Sequence, residues 1–522
     1  MLKRIWPLLS GIMAITGAAH GQRKASVPNG LVRGPYLQVA TETSIMVRWR
    51  TDVSCRSRVR FGAAAGKLDK LTDDSTLTTE HIVTLRNLTP HTRYYYSIGS
   101  FNDTLQGGAD TYFYTLPEAG KESFYRIGVF GDCGNNSVNQ RNVKNQFLQY
   151  LGEQYMDAWI LLGDNAYYNG TDAEFQAKFF NIYKDDLLKR YPVYPSPGNH
   201  DYHDVDFPAA TESAQRTHAI DYYKNFSMPT EAEAGGVPSH TQAFYSFDVG
   251  NVHFLSLDSY GKEANEYRLY DTLGPQVQWV KKDLEANANK GWVVAYWHHP
   301  PYTMGSHNSD TEDELVKIRE NFIRILERYN VDLILCGHSH VYERSRLMEG
   351  NYGMETTFNA AKHNVSSSSA LFDGSANSCP YIKDSLHGNG TVYVVSGSAG
   401  QLGGMEKSFP HDAMFYSNAT DGGAAVLEVQ GNRLDMKWIC ADGVQRDHFT
   451  MMKNVNKRSV VKAKRGESVT LTASYVTGNY HWSKSSETTK SITVKPTASK
   501  TVYTVTDDNG CLKDTIEVIL EK

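Results

Sequence analysis

The stretch GDNAY (residues 163–167) directly follows the apolar run AWILL (residues 158–162). If that run is a buried strand, Asp164 lies at its carboxyl end, where ligands gather in open α/β sheets. From about residue 122 to 450, similar runs alternate with helical periods. One example is the segment from Glu314 to Tyr329, with apolar residues at three- and four-residue spacing. The pattern predicts an α/β domain over residues 122–450.

Four further polar clusters also follow strand-like runs in this region: GDCG (131–134), GNHD (198–201), HH (298–299) and GHSH (337–340). Glycine lets the backbone turn sharply at a strand end and point the next side chain into a shared crevice. Any one cluster is a weak signal, because a Gly-Asp pair ends many strands as a simple turn. Five clusters in one order predict a two-metal site, since carboxylates, imidazoles, an amide oxygen and a phenolate suit iron, zinc or manganese.

Period-two patterns flank this domain on both sides. From about residue 28 to 118, alternating runs such as IMVRW (45–49) and TRYYY (92–96) predict a β-sandwich. Because the residues of TRYYY alternate between the two faces of a strand, we predict that its tyrosines occupy core and surface positions rather than form a ligand-binding surface. After residue 450, short strand-like runs such as VTL (469–471) follow a basic segment at residues 453–465. We interpret the basic segment as a solvated linker rather than a nucleic-acid surface.

The first 21 residues are predicted to be a secretory signal peptide. Lys3 and Arg4 precede an apolar core over residues 5–18, and a small-x-small cleavage site stands before Gln22. The apolar core is shorter than the ~20 residues of a membrane anchor, and no later segment is apolar enough to span. We therefore expect a secreted, periplasmic or cell-surface protein. The net charge of -5 gives no case for nucleic acid as the main partner.

The six cysteines, at positions 55, 133, 336, 379, 440 and 511, contain no CxxC pair. Export permits a disulfide, but the spacing assigns none. Cys133 and Cys336 lie inside motif segments and are predicted to be buried fillers rather than ligands or nucleophiles. The polar segment at residues 347–390 is too long for an ordinary connection, so it is either mobile or a lid.

The order of the polar residues resembles the metallophosphoesterase superfamily: Asp132, Asp164, Asn199-His200-Asp201, His298 and His338-x-His340. Gly134 stands where many relatives have histidine, and Tyr167 where they have aspartate. These two changes go together in purple acid phosphatases, and the string GHSHVYERS (337–345) is also similar to that family. The resemblance spans residues 28–450.

The resemblance implies an α/β fold with a metallophosphoesterase domain, an αββα sandwich, at residues 122–450. The stretch LTPHTRY (88–94) resembles the tyrosine corner of fibronectin type III modules, so residues 28–118 are expected to be a fibronectin type III-like purple acid phosphatase N-terminal domain. Residues 458–522 resemble the immunoglobulin-like β-sandwich modules of bacterial exported proteins. That module is the expected place for a contact with the cell surface or carbohydrate.

The resemblance also implies the ligands of two metals. Asp132, Tyr167 and His340 would hold the first metal, and Asp164 would bridge to the second. The second site would be completed by Asn199, His298 and His338. Three anions suit a trivalent ion such as Fe(III) at the first site, whereas a neutral amide and imidazoles suit zinc, manganese or Fe(II) at the second. The nucleophile would be hydroxide on the metals.

Further roles are implied for side chains near the ligands. His200 would stabilise the transition state or protonate the leaving oxygen, with Asp201 orienting it; a simple turn residue is the alternative for Asp201. His307 resembles a loop histidine that contacts phosphate; the alternative is that it is an exposed loop residue without a role in binding. His299 would either contact phosphate in the same way or be a buried structural residue. His253 lies in an alternating run and is predicted to belong to the core.

The predicted function is a secreted purple acid phosphatase-like enzyme that hydrolyses phosphomonoesters at a dinuclear Fe(III)–M(II) site. The nearest alternative keeps the site and acts on phosphodiesters or nucleotides. A different class, an adhesion or binding protein with a relic site, would lack ligands, and none is missing. The segment after Tyr342 is long and atypical for the family, which leaves substrate preference open.

Overall fold

The computed structural model describes residues 30–118, 123–204, 208–384 and 389–521. The predicted signal peptide lies outside these ranges. Within them, no helix combines the length and the apolar character that a membrane span requires.

The N-terminal region is a six-stranded sheet made of Leu31–Gln38, Ile45–Gly62, Lys70–Leu85, Arg93–Gly99, Thr104–Gln106 and Tyr112–Tyr114. The 18-residue strand Ile45–Gly62 pairs with Leu31–Gln38 along its first half and with Arg93–Gly99 along its second half. This strand is long enough to join both halves into one hydrogen-bonded sheet, and the β-sandwich assignment stays a prediction.

The alternation predicted for this sheet is confirmed. Tyr94 and Tyr96 are buried, whereas Tyr95 is half-buried on the other face. The Tyr94 hydroxyl accepts a hydrogen bond from the Thr89 backbone N–H at 3.0 Å, which is the contact expected of a tyrosine corner.

Two seven-stranded sheets form the centre of the chain. The first has the spatial order Tyr381–Lys383, Gln445–Lys453, Arg433–Cys440, Gly423–Gln430, Phe124–Phe130, Ala158–Leu162 and Val193–Ser196. The second has the order Tyr245–Val249, Val252–Ser256, Trp292–Trp297, Leu333–Cys336, Val392–Ser396, Tyr342–Ser345 and Met414–Asn418. The second sheet has parallel strands at its centre, whereas in the first sheet the parallel block consists of Phe124–Phe130, Ala158–Leu162 and the edge strand Val193–Ser196. Neighbouring strands within each parallel block end at the same edge of their sheet.

The two sheets pack face to face and carry helices on their outer faces. In Trp292–Trp297, alternate residues from Trp292 belong to the core shared with the first sheet, and the others pack with outer helices. Tyr194 of the first sheet stacks on Phe247 of the second, with ring centroids 3.8 Å apart. The predicted αββα layering is thereby confirmed.

The helix predicted from Glu314 to Tyr329 is confirmed as a continuous helical segment made of Asp313–Lys317, Ile318–Phe322 and Ile323–Arg328. Its middle part has π-helical hydrogen bonds. Helix Val138–Leu151 begins after Ser137, whose hydroxyl accepts the Gln140 N–H. The other helical segments are Asp172–Glu174, Phe175–Phe180, Asn181–Tyr183, His200–Tyr202, Pro208–Thr217, Asp221–Asn225, Pro275–Ala286, Glu355–Thr357 and Ala360–His363.

The described part of residues 347–390 packs along the sheets. Its strand Tyr381–Lys383 extends the first sheet beside Gln445–Lys453, and Lys383 Nζ lies 2.6 Å from the buried carboxylate of Asp332. Among the described residues, no hydrogen bond joins this segment to a predicted metal ligand. A disulfide between Cys379 and Cys511 ties the segment to the C-terminal region.

The C-terminal region forms a four-stranded and a two-stranded sheet. The first contains Arg458–Lys464, Lys513–Glu521, Lys500–Thr506 and His481–Trp482, and the second pairs Val469–Thr472 with Ser491–Val494. The linker prediction for the basic segment is wrong over Arg458–Lys464. Its basic side chains are exposed, but the backbone pairs in parallel with Lys513–Glu521 and Ala463 lies in the core. The immunoglobulin-like assignment stays a prediction.

Candidate metal centre

All five predicted clusters follow strands of the two parallel blocks: Asp132 after Phe124–Phe130, Asp164 after Ala158–Leu162, Asn199 after Val193–Ser196, His298 after Trp292–Trp297 and His338 after Leu333–Cys336. The carboxyl ends of the two sheets bring these residues together. This edge is where α/β sheets bind their ligands.

The backbone turns sharply to aim these side chains. Asp132, Asp164 and His338 have φ values of 56°, 50° and 67°, in the left-handed region that costs a residue with a Cβ about 1–2 kcal/mol. Gly163 has a φ of 88°, and a Cβ added there would collide with the His298 ring. Glycine is therefore required both for the conformation and for the close approach of His298.

The first group of donor atoms comprises Asp132, Tyr167 and His340. The Tyr167 hydroxyl donates to Asp132 Oδ1 at 2.9 Å and lies 3.2 Å from His340 Nε2. His340 Nε2 is 3.6 Å from the same carboxylate oxygen. Asp132 Oδ2 accepts the backbone N–H of His338 at 3.0 Å, which fixes the carboxylate with Oδ1 toward the group.

The second group comprises Asn199, His298 and His338. Asn199 Oδ1 lies 3.0 Å from His298 Nε2 and 3.2 Å from His338 Nδ1. His298 Nδ1 donates to the Leu162 carbonyl at 2.8 Å, which leaves Nε2 as the free nitrogen facing the group. Asn199 Nδ2 donates to Asp204 at 3.0 Å, which turns its amide oxygen toward the histidines.

Asp164 lies between the two groups. Its Oδ1 is 3.3 Å from His298 Nε2, and one donor atom each of Asp132, Asp164 and His298 lie within 4.8 Å of one another. Oδ1 also accepts the backbone N–H of His200 at 3.0 Å. The structure thus brings all seven predicted ligands into one cluster.

The cluster is electrostatically suited to cations. Asp132 and Asp164 are buried, and among the described residues only histidines form ion pairs with them. Burial raises the pKa of Asp132, and burial together with the two carboxylates raises the pKa of the Tyr167 phenol. Buried charges in proteins are paired or coordinate metals. Oxygen and imidazole donors in this number fit iron, zinc or manganese.

His200 faces the cluster without belonging to either group. Its Nδ1 donates to the Tyr168 carbonyl at 2.7 Å, so Nε2 is the nitrogen that faces the site, 3.7 Å from Asp164 Oδ2. The imidazole is 16% exposed, so an incoming ligand can reach it.

The hydrogen bonds of Asp201 in the described residues go to groups other than His200, and its predicted role in orienting His200 stays a prediction. Asp201 Oδ2 accepts hydrogen bonds from the Gly198 N–H and Asn165 Nδ2, both at 2.9 Å. The two residues begin the 3₁₀ turn His200–Tyr202, where successive side chains point in different directions. Asp201 therefore joins the loop of Asp164 to the loop of Asn199. Burial raises its pKa to about 7.

His307 lies at the mouth of the cluster. Its ring stacks on His338 with centroids 3.6 Å apart, and its side chain is 29% exposed. Its Nδ1 is 2.9 Å from Glu312 Oε2, and the same oxygen is 3.4 Å from His338 Nε2. Glu312 was not recognised in the sequence, because an acidic residue just before a predicted helix resembles an ordinary helix start.

The other predicted side chains lie in the interior. His299 is buried, and its Nδ1 lies 2.8 Å from the Ser259 hydroxyl. Of its two predicted roles, these contacts favour that of a buried structural residue. His253 is buried between Asp248 and Asp283, at 2.8 and 2.6 Å. Cys133 and Cys336 are buried, as predicted.

Comparison with known proteins agrees with the fold. Residues 125–342 match the family model of calcineurin-like phosphoesterases, and residues 32–115 match that of the purple acid phosphatase N-terminal domain. A purple acid phosphatase from yellow lupin (Lupinus luteus) seeds superposes with a TM-score of 0.62 at 19% sequence identity, covering 81% of this chain and 75% of that one.

Fold and donor cluster together define a metallophosphoesterase. The chain belongs to the purple acid phosphatase family. It is 28% identical to purple acid phosphatase 23 of Arabidopsis thaliana, over 51% of this chain and 57% of that protein. It is 26% identical to acid phosphatase type 7 of Mus musculus, over 68% and 75% of the two chains. Against purple acid phosphatase 15 of Arabidopsis, the match spans 49% of that protein.

Proposed function

We propose that this protein hydrolyses phosphomonoesters at a two-metal centre. The observation that carries the proposal is the position of Asp164 between two groups of donor atoms. Asp132, Tyr167 and His340 would hold one metal and Asn199, His298 and His338 the other, with Asp164 shared.

The donor chemistry supports Fe(III) in the first position, because two carboxylates and a phenolate would neutralise a trivalent ion. Zinc, manganese or Fe(II) would suit the second position, where the unshared donors are neutral. When bound, such a pair would activate a water molecule as the nucleophile and neutralise charge on the phosphate.

The chain's own side chains would then handle the ester. His200 holds its Nδ1 proton against the Tyr168 carbonyl, so its Nε2 would stabilise the phosphate or protonate the leaving oxygen. His307 would contact a phosphate oxygen, and its bond to Glu312 would keep the ring in place. Asp201 would act indirectly, by joining two ligand-bearing loops.

Export by the signal peptide is part of the same proposal and rests on the sequence alone. A phosphomonoester outside the cytoplasm would be the natural substrate. A contact with the cell surface or carbohydrate through the C-terminal region is likewise proposed from sequence resemblance.

Metal content and turnover of purified protein test this function, with Asp164→Asn as the key variant. The substitution preserves side-chain shape but removes the shared charge. We expect wild-type protein to hold two metals per chain and to hydrolyse phenyl phosphate. The variant should lose metal and fall to the background rate. Asp185→Asn, at a carboxylate with 75% exposure, is the matched control and should behave as wild type.

A second assay compares phenyl phosphate with diphenyl phosphate between pH 4 and 9. Faster turnover of the diester would replace the monoester proposal with the phosphodiesterase alternative. Wild-type protein without a stoichiometric metal pair would favour the relic-site alternative. Asp164→Asn protein with both metals and full activity would contradict the bridging assignment.

A further inference from the structure

Tyr168 is an exposed aromatic side chain directly beside the candidate metal centre. It follows the predicted ligand Tyr167, and its side chain is among the large apolar groups left open to solvent, with 53% exposure. Its ring centroid is 6.1 Å from that of His200 and 5.8 Å from that of Tyr167. An aromatic ring exposed at the mouth of a site offers a flat apolar face on which a ligand group can pack.

The ring of Tyr168 is held in this exposed position. Its backbone N–H donates to Glu174 Oε1 at 2.5 Å, and its carbonyl accepts from His200 Nδ1 at 2.7 Å. The amino group of Lys178 lies 5.2 Å from the ring centroid and is itself bound to Glu174 at 3.0 Å. Fixed on both sides of its backbone, Tyr168 presents a preorganised surface, which lowers the entropy cost of binding a flat ligand group.

A second apolar element flanks the cluster on the side of His340. The loop at residues 401–406 is attached to the site by backbone hydrogen bonds from Gln401 to the Asp132 carbonyl at 3.0 Å and from Gly403 to the His340 carbonyl at 3.1 Å. This loop exposes Leu402 and Met405, at 40% and 61%. The Tyr167 ring neighbours the rings of both His200 and His340, with centroids 4.4 and 6.2 Å apart, so both apolar elements adjoin residues of the same cluster.

The charge at the mouth indicates which kind of ester arm, meaning the organic group esterified to the phosphate, Tyr168, Leu402 and Met405 would suit. Glu312, with a side chain 35% exposed, contacts both His307 and His338. Its carboxylate would repel the additional phosphates of a nucleoside triphosphate. An uncharged arm would meet no such repulsion and could lie on Tyr168, Leu402 and Met405.

We propose that Tyr168, together with Leu402 and Met405, forms a subsite for the aromatic or apolar arm of a phosphomonoester. The inference rests on the proposed phosphatase function and adds the class of substrate to it. The phosphate would lie on the metal-ligand cluster, and the arm would stack on the Tyr168 ring. Tyr168 is thus a specificity-determining residue.

The test compares benzyl phosphate with methyl phosphate, whose leaving alcohols have similar acidity, so that the arm and not the leaving group is varied. We expect wild-type kcat/KM to favour the benzyl ester about tenfold. Tyr168→Ala should reduce this ratio to within about twofold of unity, and Tyr168→Phe should retain it. Leu77→Ser, at a leucine with 58% exposure in the N-terminal sheet, is the control and should keep the wild-type ratio.

Binding provides a readout that does not require turnover. Calorimetric Kd values for benzylphosphonate and methylphosphonate should show the same ratio in wild type and the same loss in Tyr168→Ala. Turnover of both esters with equal kcat/KM, or a ratio unchanged by Tyr168→Ala, would overturn the subsite and leave the phosphatase function standing. Absence of turnover with a benzyl preference in Kd would instead overturn the phosphatase function and support the subsite.

Discussion

Glu312 contacts two histidines of the candidate site, and no sequence motif marks it. Its Oε2 lies 2.9 Å from His307 Nδ1 and 3.4 Å from His338 Nε2. His338 Nδ1 faces the other donors of its group, so Glu312 holds the opposite nitrogen of the same ring. A carboxylate in this position fixes the tautomer and orientation of a metal-binding histidine.

Replacing Glu312 by glutamine tests this role. The amide keeps the shape of the side chain but removes the negative charge, so its hydrogen bonds to both imidazoles are weaker. We expect metal affinity or kcat/KM to fall about 10–100-fold, as for other groups that support metal ligands. Metal titration and steady-state kinetics would measure the two effects separately.

The neighbouring Asp313 offers a matched control. Its side chain is 65% exposed and pairs with Lys317 along the helix, so Asp313→Asn should leave metal affinity and kcat/KM unchanged. Equal effects of the two substitutions would mean that Glu312 acts through the helix start and not through the histidines.

At this scale the sequence was informative about ligands and less so about their partners. The seven predicted ligands do converge, because each follows a strand of one of the two parallel blocks. The partner of His200 could not be predicted, since the Tyr168 carbonyl is a backbone group whose position depends on the path of the loop. The orienting role of Asp201 follows from the family resemblance, which does not specify the hydrogen bonds that this carboxylate makes.

Strands and helices with strong periodicity were predictable as elements. The helix over residues 313–328 and the alternating strands of the N-terminal sheet follow directly from the spacing of apolar residues. The strand Arg458–Lys464 was missed because its exposed face is rich in basic residues and only Ala463 is fully buried. The disulfide could not be assigned because Cys379 and Cys511 are 132 residues apart in sequence.

Asp332 joins three strands through a buried charge cluster. Its carboxylate lies 2.6 Å from Lys383 and 2.7 Å from Lys453, and it also accepts the Val293 backbone N–H at 2.8 Å. Asp332 is buried, and Lys383 is only 5% exposed. Burial alone would raise the pKa of Asp332, but the two lysines outweigh burial and lower it below its ordinary value.

We expect Asp332→Asn to lower the free energy of unfolding at pH 7 by about 3–5 kcal/mol, because it leaves a buried lysine without its partner. Since the folded-state pKa is lowered, the stabilisation is present above the unfolded-state value of about 3.9 and is lost as pH falls through the folded value. The difference between wild type and variant should therefore shrink in acid. Urea unfolding between pH 7 and 3 measures it.

The exposed pair of Asp313 and Lys317 serves again as control, because Asp313→Asn should cost no more than about 0.5 kcal/mol. A gap between wild type and Asp332→Asn that stays constant down to pH 3 would contradict the titration of Asp332 as its source.

At the scale of the whole molecule, side-chain contacts and a disulfide join the two seven-stranded sheets and their loops to the N-terminal and C-terminal regions. At the N-terminal side, Arg33 and Arg50 bind Asp172 at 2.9 and 2.5 Å, next to the loop that carries Tyr167. At the C-terminal side, the Cys379–Cys511 disulfide is supported by a hydrogen bond from Asn509 Nδ2 to the Phe372 carbonyl at 3.1 Å.

Replacing both Cys379 and Cys511 by serine should destabilise the C-terminal sheets without affecting catalysis. Opening a loop closed across 132 residues of sequence costs about 4–5 kcal/mol in the chain-entropy description. We expect an unfolding transition of residues 458–521 at lower temperature in calorimetry, together with faster proteolysis of that region. Phosphatase activity should remain at the wild-type rate.

Wild-type protein treated with a reductant should reproduce the behaviour of the serine variant, whereas replacing the buried free Cys55 by serine should not produce the separate early transition. A single unchanged unfolding transition in the double variant would show that noncovalent packing alone holds the C-terminal sheets.

The strand order of the first sheet has a consequence for biosynthesis. Phe124–Phe130, which positions Asp132, pairs with Ala158–Leu162 on one side and with the much later strand Gly423–Gln430 on the other. A nascent chain extended only to His340 already holds every candidate ligand but lacks half of the support for Asp132. We therefore expect the metals to bind after translation. The strand Gly423–Gln430, which completes the sheet beside Asp132, is synthesised after all the candidate ligands.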